Sequence, residues 1–170
     1  MTSVGRSEPA LDAAERPMLE GWLDYHRETL AVKCAGLTDA QLREASAPPS
    51  ALTLLGLVRH LAEVERFWFR EILAGEKLPD LYSTEERPDG DFEVAETATW
   101  AGTEPVWREQ IAAARANTAA LGLDDFSRGV GSAGAPFSLR WIYTHMIEEY
   151  ARHNGHADLL RERLDGATGA

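Results

Sequence analysis

The stretch His145-Met-Ile-Glu-Glu-Tyr-Ala-Arg-His153-Asn-Gly-His156 places three of the five histidines and two glutamates in one short segment. Apolar residues recur at helical spacing through and around it, which predicts that it is part of one helix. Glu149 and His153 are four residues apart and therefore project from neighbouring turns of the same face. Such a helix can offer two ligands to one metal ion, and a third ligand from another helix would complete an open site.

Helical geometry sorts the polar residues of this segment by direction. At about 100° per residue, His153 falls inside the apolar stripe of the helix and Glu149 falls at its edge. Glu148 is predicted to face solvent, and His145 and His156 to lie on the rim. A buried carboxylate is costly without a partner, so Glu149 and His153 either share a metal ion or form an ion pair that only fixes the packing.

Apolar periodicity predicts four long helices, and no strand-like alternation competes with it. The expected helices cover about 16–36, 50–75, 103–122 and 138–164. A capping box at Thr38 opens a short helix between the first two, and Pro105 is expected near the first turn of the third. The predicted fold is therefore all-α, a four-helix bundle whose two long connections allow a crossover topology.

The connection over about 76–102 is acidic and rich in proline, glycine and aspartate. Connections of this length in compact domains often cover a site or an interface. On length and composition, we expect this segment to close over the functional site and to select a substrate there.

Composition and charge exclude several functional classes. The 170 residues are 44% hydrophobic and 26% charged, which predicts one globular domain over residues 1–170, with residues 1–14 flexible. The net charge of −11, without a cluster of lysine and arginine, disfavours nucleic acids and anionic membranes as partners. The single cysteine, Cys34, rules out an internal disulfide, and no signal peptide or membrane span is evident, so we expect a cytoplasmic protein.

His60 on the second predicted helix is the natural third member of the site. It lies at the edge of a broad apolar arc, and bundles often build metal sites from side chains on facing helices. Taken alone it would be an ordinary edge histidine. Glu65 lies well inside the same arc and needs a partner, either a ligand histidine that it orients or a tyrosine or arginine. His26 has no ligand type at helical spacing and is a weak candidate.

Two motifs carry a resemblance to a known family. They are Leu57-Val58-Arg59-His60-Leu61 on the second helix and Glu149-Tyr-Ala-Arg-His153-Asn-Gly-His156 on the fourth. The chain resembles the DinB-like superfamily of four-helix metal-binding proteins, specifically the actinobacterial branch related to mycothiol-dependent enzymes. The resemblance extends over nearly the whole chain.

The resemblance implies a divalent ion, often zinc or nickel, held by one residue on the second helix and two on the last. Residue by residue, these positions are His60, Glu149 and His153. Many relatives have histidine at the position of Glu149, whereas the thiol-dependent maleylpyruvate isomerases have glutamate there. Those isomerases carry a further C-terminal domain, and since this sequence ends soon after the fourth helix, we expect thiol transfer rather than isomerisation.

The function implied is a metal-dependent transferase, active in detoxification, that uses a low-molecular-weight thiol such as mycothiol on a small electrophile. The resemblance also implies a homodimer. Glu149 would be a ligand rather than a general base, and no catalytic residue is assigned. The alternatives are a non-catalytic metal-binding or stress-related bundle, and an interaction module in which Glu149 and His153 only pair.

Overall fold

The computed structural model describes residues 6–131 and 134–169. Its helices are α1 (Glu15–Cys34), α2 (Asp39–Leu42), α3 (Leu54–Arg66), a π-helical segment (Phe67–Leu73), α4 (Trp100–Thr118) and α5 (Leu139–Asp165). The long ones form the predicted all-α four-helix bundle. Residues 1–5 of the expected flexible start, and two residues of the glycine-rich turn before α5, lie outside the described part of the chain.

Side-chain contacts fix the directions of the helices. Early residues of α1 meet early residues of α5, as in the bond from Tyr143 to Glu20, and late residues meet late ones, as in the ion pair of Lys33 with Asp158, so α1 and α5 run parallel. The late part of α4 likewise meets the π-helical segment that continues α3, where Asn117 donates to the Phe69 carbonyl. Two parallel neighbours need a long return, and the crossover is the connection 74–99.

Capping residues explain where the helices begin. Thr38 forms the predicted capping box with Gln41. The second long helix begins later than predicted, because the side chain of Thr53 accepts from the Gly56 amide. The third begins earlier than predicted, at Trp100, because Thr99 accepts from Gly102 in the same way. It also ends earlier, at Thr118.

The long helix predicted over 50–75 is confirmed as helical over 54–73, but its winding changes along its length. The α-helical winding ends at Arg66, and Phe67–Leu73 is π-helical. Such segments are rare and often lie at functional sites.

One buried polar network ties the four long helices together. Arg27 of α1 donates two hydrogen bonds of 2.7 Å to the carboxylate of Glu65 on α3. Tyr150 of α5 donates to the same carboxylate at 2.9 Å, and Trp107 of α4 donates to the Tyr150 hydroxyl at 2.8 Å. The prediction that Glu65 needs a partner is confirmed, and the partners are an arginine and a tyrosine. We call these four residues the core network.

None of the described helices has the length and apolar character needed to cross a bilayer.

Candidate metal centre

Helix α5 presents Glu149 and His153 on one face, as their spacing predicts. The Glu149 Oε2 and His153 Nε2 atoms are 3.5 Å apart, and both side chains are largely buried. Glu148 points outward with 56% of its side chain exposed, while His145 and His156 are half-buried. The predicted directions of these side chains are therefore confirmed.

Helix α3 brings His60 to the same place. Its Nε2 atom lies 3.9 Å from Glu149 Oε2, and its ring lies 4.6 Å from the ring of His153. One nitrogen or oxygen atom from each of His60, Glu149 and His153 falls within 4.8 Å of the others. We call these three residues the triad. The structure thus gathers all three predicted residues at the meeting of α3 and α5.

Two further residues reach the triad from the crossover connection. Asp91 Oδ2 lies 2.7 Å from His60 Nδ1, and Phe92 stacks on the His60 ring at 4.6 Å. These contacts agree with the expectation that the connection covers the site. Asp91 is not predicted from the sequence, since it is one of many acidic residues in that segment and no local pattern sets it apart.

The contact of Asp91 with Nδ1 of His60 determines which nitrogen of that ring is available to a metal ion. A carboxylate on Nδ1 holds that nitrogen protonated and leaves the Nε2 lone pair aimed at Glu149 and His153. Metal-binding histidines are oriented in this way by carboxylates or carbonyls. Burial alone would raise the pKa of Asp91, but its contact with His60 and the hydrogen bond from the Phe92 amide outweigh burial and lower that pKa.

His153 is kept neutral. Burial, with smaller contributions from His60 and His156, lowers the pKa of His153 to about 4. Its Nδ1 atom lies 3.3 Å from the Nδ1 of His156, and its Nε2 atom faces Glu149. A neutral imidazole has a lone pair available for a metal ion at pH 7.

The triad fits a divalent cation in both chemistry and spacing. Two imidazoles and a carboxylate suit zinc and nickel. Ligand atoms around a tetrahedral zinc ion, with bonds of about 2.0–2.1 Å, lie roughly 3.3 Å apart. The separations of 3.5 and 3.9 Å from Glu149 are close to that spacing, and all three ligand atoms lie within 4.8 Å of one another. Three protein ligands would leave one position open.

The remaining candidates lie apart from the triad. Glu65 belongs to the core network and does not orient a triad histidine. His26 lies beside Asn154, whose side-chain amide donates a hydrogen bond to the backbone carbonyl of His26. Cys34 is buried, and burial raises the pKa of its thiol to about 12. A thiol of that kind is a poor nucleophile.

Comparison with known proteins identifies the family. A family model described as Mycothiol-S-transferase matches residues 18–166. The chain belongs to this family. The match covers all five α-helices except the first residues of α1, and it confirms the resemblance to the mycothiol-related, DinB-like branch. A search of curated proteins finds no match.

A solved structure gives independent support for the fold of this mycothiol-S-transferase family member. It is described as a conserved protein from Enterococcus faecalis, and it aligns with a TM-score of 0.62 and 16% sequence identity. The alignment covers 91% of this chain and 99% of that one. At this identity the likeness shows the fold alone.

Proposed function

We propose that this protein is a metal-dependent transferase that moves mycothiol onto a small electrophile. The observation that carries the proposal is the triad, an open set of two imidazoles and one carboxylate in a member of the mycothiol-S-transferase family. His60, Glu149 and His153 would hold zinc or nickel.

The chemistry needed is the formation of a thiolate. A divalent ion held by the triad would supply a positive centre that lowers the pKa of a nearby thiol, so that thiolate would be present near neutral pH. The thiol proton passes to solvent. The sulfur then forms a carbon–sulfur bond with the electrophile, and a leaving group such as a halide departs with its bonding electron pair. The transfer needs no oxidant or reductant.

The chain supports this reaction by holding groups in position. Asp91 fixes the tautomer and tilt of His60, and Phe92 shields one face of that ring. The connection carrying both residues is fastened to α3: Arg59 donates to the Gly90 carbonyl at 2.8 Å, and Glu63 accepts from two backbone amides at 2.7 Å. The connection that covers the triad is therefore attached to α3, the helix that carries His60.

The first experiment measures metal in protein purified without a histidine tag. We expect close to one equivalent of zinc or nickel after loading and dialysis. The Glu149→Gln variant should lose it, whereas Glu148→Gln, the same change on the neighbouring outward-facing residue, should retain it. Metal content below about a tenth of an equivalent in the loaded wild type would refute the site.

The second experiment measures transfer. Metal-loaded protein is incubated with mycothiol and monochlorobimane, and the rate is compared with that of the metal-free protein and of the His60→Ala/His153→Ala variant. We expect activity only in the loaded wild type. Retained metal with no rate above the metal-free protein, across several thiols and electrophiles, would instead favour a non-catalytic metal-binding protein.

A further inference from the structure

A cluster of aromatic rings lies beside the triad, which it reaches through the contact of His145 with Glu149. Trp141 and His145, one turn apart on α5, stack with ring centres 5.0 Å apart and planes 18° apart. Trp68 packs edge-on against His145 at 4.8 Å, and Phe137 lies 4.6 Å from Trp141. Phe67 completes the row beside Trp68 at 5.1 Å. We call these five residues the aromatic shelf.

The rings of the shelf pack against one another but leave part of their surface exposed. Its rings contact one another in stacked, tilted and edge-on geometries that aromatic pairs favour. Yet Trp141 remains 44% exposed and Phe67 45% exposed. Phe67 and Trp68 come from the π-helical segment, a rare winding that is frequently found at functional sites. Aromatic side chains with a few nearby polar groups are the usual lining of small-molecule sites.

His145 connects the shelf to the triad. Its Nε2 atom lies 3.7 Å from Glu149 Oε1, the carboxylate oxygen that faces away from His153. His145 and Glu149 are one helical turn apart, a rise of about 6 Å along the axis. A flat molecule stacked at the His145 end of the shelf would therefore lie about one helical turn from the triad.

The exposed area argues for a small ligand rather than a protein. An aromatic side chain buries about 150–250 Å² in full, so the exposed parts of Phe67 and Trp141 together offer roughly 200 Å². A stable protein interface needs about 800 Å² from each partner. The same area matches one face of a one- or two-ring molecule. Glu148 borders the shelf through its contact with His145, so an anionic ligand on that side would be repelled.

We propose that the aromatic shelf binds a planar, uncharged aromatic electrophile and holds its reactive carbon at the open side of the triad. This inference rests on the proposed thiol transfer and names the class of its second substrate. Trp141 is the positioning residue with the largest exposed face. The reacting carbon gains the mycothiol sulfur and loses a leaving group that carries away the bonding pair.

The kinetic test compares two electrophiles that both release a halide. One is 1-chloro-2,4-dinitrobenzene, which is planar and aromatic, and the other is iodoacetamide, which is small and not aromatic. In Trp141→Ala, we expect kcat/KM for the aromatic substrate to fall roughly fivefold to tenfold, the size set by one lost aromatic pair, while that for iodoacetamide changes less than about twofold. Trp141→Phe should restore most of the loss.

The matched control is Leu159→Ala, which removes another exposed apolar side chain of α5 away from the shelf. It should leave both substrates unaffected. An equal fall for both electrophiles in Trp141→Ala would mean that the substitution disturbs the site in general, and an unchanged aromatic rate would mean that the shelf does not bind. Either result overturns the proposal.

A binding measurement separates failure of the shelf from failure of the transferase. Equilibrium dialysis with 1,3-dinitrobenzene, which has no leaving halide, reports binding even if wild-type protein transfers no thiol. We expect saturable binding that Trp141→Ala weakens and Leu159→Ala preserves. Absence of saturable binding would overturn the proposal that the shelf binds an aromatic ligand. A dimer in sedimentation velocity that Trp141→Ala converts to monomer also overturns it, because a second copy would then occupy the surface.

Discussion

The core network and the triad both join α3 to α5, yet they are built in opposite ways. In the core network, Glu65 is fully buried and its carboxylate accepts three hydrogen bonds of 2.7–2.9 Å. In the triad, Glu149 keeps 19% of its side chain exposed and its nearest triad nitrogens are 3.5 and 3.9 Å away. The two clusters are adjacent, because Tyr150 of the core network and Glu149 of the triad are consecutive residues of α5.

The difference lies in whether the carboxylate has a cationic partner within the chain. Glu65 has Arg27: burial alone would lower the pKa of Arg27, but the adjacent carboxylate outweighs burial and raises it. Within the described residues, the side chains paired with Glu149 are those of histidines, and the low pKa of His153 leaves that ring without positive charge at neutral pH. The first cluster is complete as folded, whereas the second has the composition of a site that a cation completes.

The strongest test of the contrast removes Glu65. In Glu65→Ala, the guanidinium of Arg27 remains buried with only the partly exposed carboxylate of Asp24 as its partner, and we expect the free energy of unfolding to fall by about 3 kcal/mol. Urea denaturation followed by circular dichroism measures it. The double variant Arg27→Met/Glu65→Leu should lose far less, since it removes both charges. A loss below about 1 kcal/mol in the single variant would contradict the account.

The next test adds a metal ion to the triad. Zinc at about one hundred times its dissociation constant should raise the free energy of unfolding by about 2.7 kcal/mol, because it binds the folded state. The His60→Ala/His153→Ala variant should gain nothing, and in excess chelator it should match the wild type to within about 1 kcal/mol. Equal stabilisation of both proteins by zinc would place the metal elsewhere.

A smaller effect is expected from the carboxylate behind His60. Asp91→Ala should weaken metal binding by about tenfold to a hundredfold, since it releases the tautomer and orientation of the ring. Competition titration with a chromophoric chelator measures the affinity. Asp89→Ala, an exposed acidic residue of the same connection, is the control and should leave the affinity unchanged. Equal affinities in the two variants would show that Asp91 does not orient the ligand.

Helical periodicity accounts for what the sequence predicts correctly. Once the helix is given, the spacing of Glu149 and His153 determines their common face, so the residue numbers alone predict the direction of both side chains. The predicted start of the third helix is too late because Pro105 is not a first-turn residue. Thr99, whose side chain caps the Gly102 amide, sets the start instead, and Pro105 lies in the second turn.

The features that could not be predicted from the sequence depend on irregular backbone structure. Asp91 is 31 residues from His60, and its position depends on how Arg59 and Glu63 fasten the connection to α3. The π-helical winding after Arg66 likewise has no period that the apolar pattern reveals. For Glu65 the pattern required a partner but left open a histidine, a tyrosine or an arginine, and the fold supplies the last two.

The smallest effect concerns the thiol of the chain itself. Cys34 is buried in the core, and burial raises the pKa of its thiol to about 12, so the folded state favours the protonated form more than the unfolded chain does, where the pKa is about 8.5. Its contribution to stability is therefore present below about pH 8.5 and is lost as the pH rises toward 12.

We accordingly expect Cys34→Ala to reduce the alkaline loss of stability while leaving thiol transfer at pH 7 within about twofold of wild type. Denaturation midpoints at pH 7 and pH 10 measure the first, and the bimane assay measures the second. Alkylation of native protein by iodoacetamide should be slow until urea unfolds it. Rapid alkylation of the native protein, with parallel loss of transfer, would instead make Cys34 part of the reaction and remove the contrast between a closed core and an open triad.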